Sequence, residues 1–317
     1  MTRDFLLMCA PLQGFTDVAF RHYHAAMFSI GDDCPIYYTP FLRVESGTVR
    51  SRDIKELLSP LNANHNLVTQ IIFRSPDEFR LLVDTITGYG FTAIDMNLGC
   101  PHIPQVKKGR GAGLLEKPEV LREIQSIILN EYPNIKFSLK MRLGISDATG
   151  WRDIADIIQK MPLTHITLHP RTAVQQYSGD LDFDQARSFV SEIGHPVIFN
   201  GNILCPADID AVRDTIPDIA GVMVGRGILM RPSLFSEWIG GEVWSDDRVR
   251  EAILSLHDGI FEYYASVLTG GNTQILTKIK PIWEYFGVNF DRKLVKKILK
   301  SGRIESYREA VDMLRRQ

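Results

Sequence analysis

The chain has 317 residues, of which 44% are hydrophobic and 23% charged, and its formal net charge at pH 7 is −2. This composition is typical of a globular protein with a large core and excludes a disordered or fibrous chain. The near-neutral charge also excludes a protein that binds nucleic acid over its whole surface.

Short apolar runs alternate with helical patterns eight times in the first three quarters of the chain. Near-continuous hydrophobicity within such runs is typical of parallel strands that are covered on both faces. Eight β–α units fit a (β/α)8 TIM barrel better than a doubly wound sheet, so we predict a TIM barrel over residues 1–240. The predicted strands are 5–9, 36–39, 67–73, 92–97, 136–142, 164–169, 196–200 and 219–224.

The helix after the third predicted strand has the clearest start. Ser75 is placed as the N-cap, Pro76 as the first helical residue and Glu78 as the third. Residues 88 and 90 are glycines that end the apolar stripe of this helix. The second helical segment, near 47–58, has a poor pattern by comparison.

No strand pattern follows Ser245, and the remaining helices predict a smaller all-helical domain over 246–317. Residues 278–317 carry eleven Lys/Arg and five Asp/Glu, a net of +6, whereas the rest of the chain is at −8. Such asymmetry indicates that the tail meets a polyanion, although a solvated helix face would also account for it. The predicted helices of the tail are 246–268, 272–286, 291–300 and 304–316.

Cys100 stands in a Gly-Cys-Pro turn directly after the fourth predicted strand, before the Gly-rich basic loop 105–113. Active sites of TIM barrels lie at the carboxyl ends of the strands. A thiol there, under a cationic loop, is placed for chemistry on an anionic substrate, whereas a structural cysteine would more naturally lie inside a strand. A turn cysteine that only fills space is the alternative, and the loop is either a moving lid or a solvated surface loop.

Other polar residues at the strand ends predict a site for a large anionic cofactor. Gly201 and the Gly225-Arg226 pair follow strands seven and eight, where TIM barrels commonly bind phosphate. Lys140, in the middle of an apolar strand, needs an anion, which is either the cofactor or a buried Asp95. His169 is either a cofactor contact or a structural residue.

The ordered motifs of the chain resemble those of the tRNA-dihydrouridine synthases. The resemblance runs from about residue 7 to 230 and extends to Lys278-Ile-Lys280 in the tail. Each motif alone is weak, but their order and spacing are specific. The motifs are 10–17 (APLQGFTD), 97–101 (NLGCP), 109–115 (GRGAGLL), 139–144 (LKMRLG), 168–172 (LHPRT), 199–203 (FNGNI) and 224–227 (VGRG).

The resemblance implies an enzyme that uses flavin mononucleotide (FMN) and NADPH to reduce a D-loop uridine of tRNA to 5,6-dihydrouridine. In that family the reduced flavin gives hydride to carbon 6 of uracil, and the cysteine, here Cys100, protonates carbon 5 as the general acid. No metal is implied. The implied cofactor contacts are Pro11, Leu12, Gln13, Gln70, Lys140, His169, Asn200, Gly201, Asn202, Gly225 and Arg226.

The expected RNA contacts combine the pocket with the basic surfaces. Asn97 is expected at the uracil edge, and the tail lysines at the tRNA body. Clustered charge on an otherwise acidic chain favours contact with RNA phosphates. The expected contacts are Asn97, Lys107, Lys108, Arg110, Arg171, Lys278, Lys280, Lys296, Lys297 and Lys300.

The chain departs from the family pattern in three places. The family lysine soon after Cys-Pro is missing, the first motif reads Pro-Leu-Gln-Gly, and Asn202 stands where an acidic residue is frequent. Two other functions compete with the family one: a flavin barrel acting on a free pyrimidine, and an RNA-binding protein without turnover. The basic tail argues against the first, and the retained Cys100, Lys140 and Arg226 argue against the second.

The four cysteines have neither a disulfide-framework spacing nor a metal-ligand spacing. The N-terminus carries no signal-peptide pattern, and no apolar run is long enough to cross a membrane. We therefore expect a protein of the cytoplasm with tRNA, and no membrane, as its partner.

Overall fold

The computed structural model describes residues 5–30, 34–63 and 66–316. All eight predicted strands are present in it, and two short additional strands follow the second of them. The strands are β1 (Leu6–Cys9), β2 (Ile36–Tyr38), β3 (Leu42–Glu45), β4 (Thr48–Val49), β5 (Leu67–Ile72), β6 (Ala93–Leu98), β7 (Lys136–Gly144), β8 (Leu163–Thr172), β9 (Val197–Phe199) and β10 (Gly221–Val224).

Eight of these strands form a closed parallel barrel. Its order is β1-β2-β5-β6-β7-β8-β9-β10, and β10 pairs with β1 to close the ring. The register of β6 on β7 sets Asn97 beside Lys140, and that of β7 on β8 sets Arg142 beside His169. The prediction of a TIM barrel is confirmed. The polar residues near the carboxyl ends of neighbouring strands lie together at the carboxyl edge of this barrel.

Helices surround the barrel and form the C-terminal region. Ser75 caps α3 as predicted, since its hydroxyl accepts a hydrogen bond from the Glu78 N–H. The helices are α1 (Val18–Phe28), α2 (Ser51–Leu57), α3 (Pro76–Gly88), α4 (Ile103–Val106), α5 (Pro118–Glu131), α6 (Arg152–Gln159), α7 (Phe183–Glu192), α8 (Pro206–Thr215), α9 (Arg226–Met230), α10 (Leu234–Gly240), α11 (Asp246–Val267), α12 (Gly271–Ile279), α13 (Trp283–Phe286), α14 (Arg292–Lys300) and α15 (Ile304–Leu314).

The segment near 47–58 is only partly helical. Strands β3 and β4 pair antiparallel, with Glu45 opposite Thr48. Ser46 and Gly47 join them at φ values of 51° and 78°, which matches the left-handed conformations of a two-residue hairpin turn. Helix α2 is therefore short, which explains the poor helical pattern of this segment.

The predicted helix 272–286 is interrupted. Helix α12 ends at Ile279, a 3₁₀ turn spans Lys280–Ile282, and α13 follows. Pro281 has no N–H to continue the α-helical hydrogen bonds, so the α-helix is interrupted at this residue. Helix α13 then contacts α9, which follows the last barrel strand.

The C-terminal helical region packs on the barrel through α1 and α11. The Tyr264 hydroxyl donates to the Asp17 carboxylate over 2.6 Å, and Lys278 lies 3.5 Å from the same carboxylate. Within the region, the Trp283 indole donates to the Tyr307 hydroxyl at 2.8 Å. In the described part of the chain, no helix combines the length and apolar character that crossing a membrane requires. A domain boundary near residue 240 stays a prediction.

Candidate active site

The carboxyl ends of the barrel strands surround an open pocket with an empty volume of about 970 Å³, part of which faces solvent. Among the described residues that line it, three have cationic side chains (Lys140, Arg142 and Arg226) and none has a carboxylate. Such a charge balance suits an anionic ligand. The predicted site residues that line this pocket are Pro11, Leu12, Gln13, Asn97, Cys100, Lys140, His169, Asn200, Gly201, Asn202, Gly225 and Arg226.

The turn that carries Cys100 is held from three sides. The Asn97 side-chain oxygen accepts hydrogen bonds from the N–H groups of Gly99 (3.1 Å) and Cys100 (2.9 Å). The Arg142 guanidinium donates to the Gly99 carbonyl at 3.0 Å. A Cβ on Gly111 would lie 2.8 Å from the Cys100 Cβ, so only glycine lets the following loop pack this closely. The turn is thereby fixed before any substrate binds.

A buried chain of hydrogen bonds supports Asn97 from below. The Asn97 side-chain amide donates to the Gln70 side-chain oxygen (Oε1) at 2.9 Å. The Gln70 side-chain nitrogen (Nε2) in turn donates to the Asp95 carboxylate at 2.8 Å. Ser138 donates to the other Asp95 oxygen at 2.7 Å, and burial raises the pKa of Asp95 to about 6. Gln70 is fully buried and lies outside the pocket lining. It is therefore placed to orient Asn97 rather than to reach a cofactor directly.

The Cys100 thiol is partly buried at the pocket wall. Burial raises its pKa above the ordinary value, while the charges of Arg142 and Lys140 act in the opposite direction. The thiol therefore keeps its proton at neutral pH and is able to donate it. The nearby cations would stabilise the thiolate that remains after donation.

Lys140 points into the pocket and is not ion-paired with Asp95. Its ammonium donates to the Asn200 side-chain oxygen at 2.8 Å, and the Asn200 amide donates to the Met223 carbonyl at 2.7 Å. Both Asp95 oxygens are bound by Gln70 and Ser138, as described above. Burial and the Arg142 charge lower the pKa of Lys140 to about 8. An anionic ligand bound beside Lys140 would raise this pKa again and stabilise the charged ammonium.

His169 is neutral, because burial and four surrounding cations lower its pKa far below the ordinary value. Arg171 donates to its Nε2 at 3.2 Å, which leaves the proton of the neutral ring on Nδ1. Arg171 also donates to the Gly179 carbonyl at 2.7 Å and is only 2% exposed. The expectation that Arg171 contacts RNA is therefore corrected: the guanidinium is used inside the protein, where it orients His169.

The loops after β9 and β10 supply Asn202 and Arg226. The Arg226 guanidinium donates to the Asn202 oxygen at 3.4 Å, and Asn202 has a positive φ of 47°. A Cβ on Gly201 would lie 2.8 Å from Leu181, so this glycine also serves packing. At Gly225 a Cβ would meet only ordinary contacts, the nearest being Ala10 at 3.6 Å. In the described part of the pocket the donors are cations and amides, with no carboxylate among them, and this set fits a phosphate-bearing cofactor.

The basic loop after Cys100 is anchored rather than free. Arg110 is 6% exposed, forms a bidentate ion pair with Glu78 at 2.7 and 3.1 Å, and donates to the Val44 carbonyl. The expectation that Arg110 contacts RNA is therefore also corrected, because its partner lies on α3 and holds it inside. Lys107 and Lys108 are exposed as expected.

The tail lysines divide into two groups. Lys296, Lys297 and Lys300 are exposed on α14, whose Val295 and Ile298 are buried. Lys278 is half exposed beside Asp17, whereas the Lys280 ammonium donates to the Ser301 carbonyl at 2.8 Å. Lys280 thus links the 3₁₀ turn after α12 to the end of α14, and its role as an RNA contact stays a prediction.

Arg142 belongs to the polar strand ends that the sequence gathers at the barrel mouth, and in the structure it reaches the pocket and holds the Cys100 turn. Tyr177, at the pocket mouth, is a side chain that sequence reasoning did not assign to the site. The alternation of β7, which places Lys140 and Arg142 on the same side, was a signal for the arginine. For Tyr177, the sequence indicated only that the residue lies in a loop after a barrel strand, where active-site residues are common.

The closed barrel and the cationic pocket at its carboxyl edge define a (β/α)8-barrel enzyme with a site for an anionic ligand. The family model "Dihydrouridine synthase (Dus)" matches residues 8–258. The chain belongs to the dihydrouridine synthase family, and it is a flavin-dependent oxidoreductase.

Two curated relatives and one solved structure illustrate the similarity. A "Probable tRNA-dihydrouridine synthase" of Staphylococcus epidermidis is 28% identical over 283 residues, covering 83% of this chain and 80% of the relative. The "tRNA-dihydrouridine synthase B" of Pasteurella multocida is 26% identical over 299 residues, covering 92% and 81%. The old yellow enzyme from Trypanosoma cruzi aligns with a TM-score of 0.54 and 8% identity over 81% of this chain and 93% of that chain, which shows the fold alone.

Proposed function

We propose that the protein is a tRNA-dihydrouridine synthase that reduces a D-loop uridine to 5,6-dihydrouridine with FMN and NADPH, and that Cys100 is the general acid. The observation that carries the proposal is the Cys100 thiol, fixed on a preformed turn, in the wall of a pocket whose described charged side chains are all cationic. The names of the curated relatives support tRNA as the substrate.

The proposed FMN contacts come from five strand ends. Arg226, with the backbone of Gly201 and Gly225, would hold the phosphate. Lys140 would face the electron-rich edge of the reduced ring, since its ammonium lines the pocket and donates to the neutral Asn200 side chain. Gln70 would act indirectly, through Asn97. The remaining proposed contacts are Pro11, Leu12, Gln13, His169, Asn200 and Asn202.

When bound at these residues, FMN would supply the hydride for carbon 6 of the uracil, with NADPH as its source. Cys100 donates its thiol proton to carbon 5, so that the ring gains one hydride and one proton in total. The thiolate formed lies near Arg142 and Lys140, whose charges stabilise it until solvent returns a proton through the open pocket. General acid catalysis of this kind contributes about 10²–10⁴-fold to a rate.

The tRNA would reach the pocket between two exposed basic surfaces. Lys107 and Lys108 flank the Cys100 turn, and Lys296, Lys297 and Lys300 stand on α14. A uridine must leave its stack to enter a barrel mouth, which costs a few kcal/mol and least in a loop. A tRNA substrate and free thiols at all four cysteines support a location in the cytoplasm.

A position-resolved map of dihydrouridine in tRNA from cells with and without the gene tests the proposal. Loss of dihydrouridine at one D-loop position in the deletion strain, restored by the wild-type gene, is the expected result. An unchanged map, together with turnover of free uracil by the purified flavoprotein, would assign the protein to small pyrimidines instead.

A further inference from the structure

Asp95 is a buried carboxylate of the barrel that the proposed mechanism does not use. It lies on β6 and is fully buried. Its two oxygens accept hydrogen bonds from two neighbouring strands: Oδ2 from the Gln70 side chain on β5 at 2.8 Å, and Oδ1 from the Ser138 hydroxyl on β7 at 2.7 Å. A buried carboxylate is costly even when it is hydrogen-bonded, which indicates a role beyond packing.

The hydrogen bonds between Asp95 and the Cys100 turn run in one direction. At the upper end the Gly99 and Cys100 N–H groups can only donate, so the Asn97 side chain turns its oxygen towards them. The Asn97 nitrogen then faces Gln70, whose side-chain oxygen accepts at 2.9 Å. The Gln70 nitrogen must in turn face an acceptor, and the Asp95 carboxylate is that acceptor.

An ionised carboxylate at the lower end permits this direction alone. A side-chain amide has a donor and an acceptor, so it can bond either way round. A carboxylate without its proton can only accept, and it therefore excludes the reversed arrangement, in which the Asn97 nitrogen would face the turn and leave two N–H groups without an acceptor. Because Gln70 and Asp95 are fully buried and Asn97 is 7% exposed, water hardly competes for these bonds.

We infer that Asp95 is a positioning residue that, through two side-chain amides in series, fixes the turn on which Cys100 stands. The inference rests on the proposed function and adds to it a residue that touches neither substrate nor cofactor. The competing role for this part of the barrel is a direct contact of Gln70 with the flavin, and the test below separates the two.

The test exchanges acid and amide along the hydrogen-bond chain. Gln70→Glu places a second carboxylate against Asp95, and the two can keep their hydrogen bond only while they share a proton. Asp95→Asn replaces the acceptor-only end group by one that can bond either way round. In the double variant Asp95→Asn/Gln70→Glu the carboxylate stands at position 70, where it accepts from both neighbours and keeps the Asn97 oxygen towards the turn.

Asp53→Asn is the matched control. Asp53 is a buried carboxylate on α2, 6% exposed, that pairs with Arg50 at 2.6 Å and does not line the pocket. Three rates are measured for each FMN-loaded protein: flavin reduction by NADPH, single-turnover formation of dihydrouridine in an unmodified tRNA transcript, and backbone hydrogen exchange of residues 97–101. Hydrogen exchange reports the two turn N–H groups without any need for turnover.

We expect dihydrouridine formation by Gln70→Glu, relative to the wild type, to fall about tenfold or more from about pH 6 to about pH 9, because the shared proton is lost as pH rises through the raised pKa of the carboxylate pair. Among the described residues, Lys140 and Tyr38 also act on Asp95. Burial keeps Tyr38 neutral, and the loss of the Lys140 charge above about pH 8 is shared by the wild type.

Asp95→Asn should slow dihydrouridine formation about 3- to 10-fold at every pH, which is the difference between a charged and a neutral acceptor. The double variant should lack the additional pH dependence and be at least as fast as Asp95→Asn. Residues 97–101 should exchange faster wherever product formation is slowed. Asp53→Asn should match the wild type in all three rates, and flavin reduction should stay within about twofold of wild type in every variant.

A double variant slower than Asp95→Asn, or a pH profile of Gln70→Glu that matches the wild type, would overturn the inference. A loss of flavin reduction in both proteins that carry Gln70→Glu would overturn it in favour of the flavin contact. If Gln70→Glu does not fold, the comparison of the double variant with Asp95→Asn decides. A wild type that forms no dihydrouridine would refute the proposed function, whereas hydrogen exchange would still test the role of Asp95.

Discussion

The ion pair between Arg110 and Glu78 offers a direct test of whether the basic loop is anchored or faces RNA. Both side chains are buried, and the guanidinium makes three hydrogen bonds, two to Glu78 and one to the Val44 carbonyl. Arg110→Met would leave the Glu78 carboxylate, 8% exposed, with Arg74 as its remaining charged partner at 2.9 Å.

Removing one partner of a buried ion pair typically costs about 3–5 kcal/mol. Because Arg74 still neutralises part of the Glu78 charge, we expect the lower end, about 3 kcal/mol in the free energy of unfolding. Urea denaturation of the full chain measures this loss. Lys108→Met in the same loop removes an exposed cation and should change stability by no more than about 0.5 kcal/mol. The double variant Arg110→Met/Glu78→Gln should recover part of the loss, since no buried charge is then left without its partner.

The account also predicts which of the two single variants affects RNA. Lys108→Met should weaken tRNA binding, whereas Arg110→Met, measured below its unfolding range, should bind tRNA nearly as the wild type does. If Arg110→Met kept its stability and lost tRNA affinity about tenfold, Arg110 would be a surface contact and the anchoring argument would be refuted.

Three further predictions concern the pocket and the tail. The single-turnover rate should fall as pH rises above about 8, because the charged form of Lys140 is lost there; a rate that rises through that range would contradict its role. Asn97→Ala removes the acceptor of two N–H groups, so stability should drop by about 2 kcal/mol and kcat at least tenfold while FMN is retained, as measured by urea denaturation, turnover and flavin absorbance. Replacing Lys296, Lys297 and Lys300 by alanine should reduce the slope of log affinity for tRNA against log salt by about 2–3, and an unchanged slope would show that this face does not meet phosphate.

The periodic apolar runs were sufficient to predict the barrel and the edge at which the polar residues gather. Parallel strands that are covered on both faces need near-continuous apolar residues, which made them visible in the sequence. Because the carboxyl ends of these strands meet at one edge, Cys100, Lys140 and Arg226 were predicted to lie in the same site. The hairpin at Ser46-Gly47 was missed, because its two strands are too short to show an alternation.

The partners of individual charges were the part that sequence did not reveal. Arg110 pairs with Glu78, 32 positions earlier, and Lys280 binds a carbonyl 21 positions later. Charge alone makes both residues resemble RNA contacts, and their partners inside the protein appear only when distant parts of the chain pack together. The position of Gln70 differs from the predicted cofactor contact for the same reason. Its hydrogen-bond partners Asp95 and Asn97 become neighbours only when β5 pairs with β6.

The most direct test of the central claim compares the FMN-loaded wild type with Cys100→Ala on an unmodified tRNA transcript, with NADPH as reductant and dihydrouridine as the measured product. The account predicts dihydrouridine in the D-loop with the wild type. Cys100→Ala should still bind FMN and tRNA and be reduced by NADPH, but form product at least about 10²-fold more slowly. Full activity of Cys100→Ala would contradict the acid assignment, and a wild type that oxidises NADPH without forming dihydrouridine would contradict the function itself.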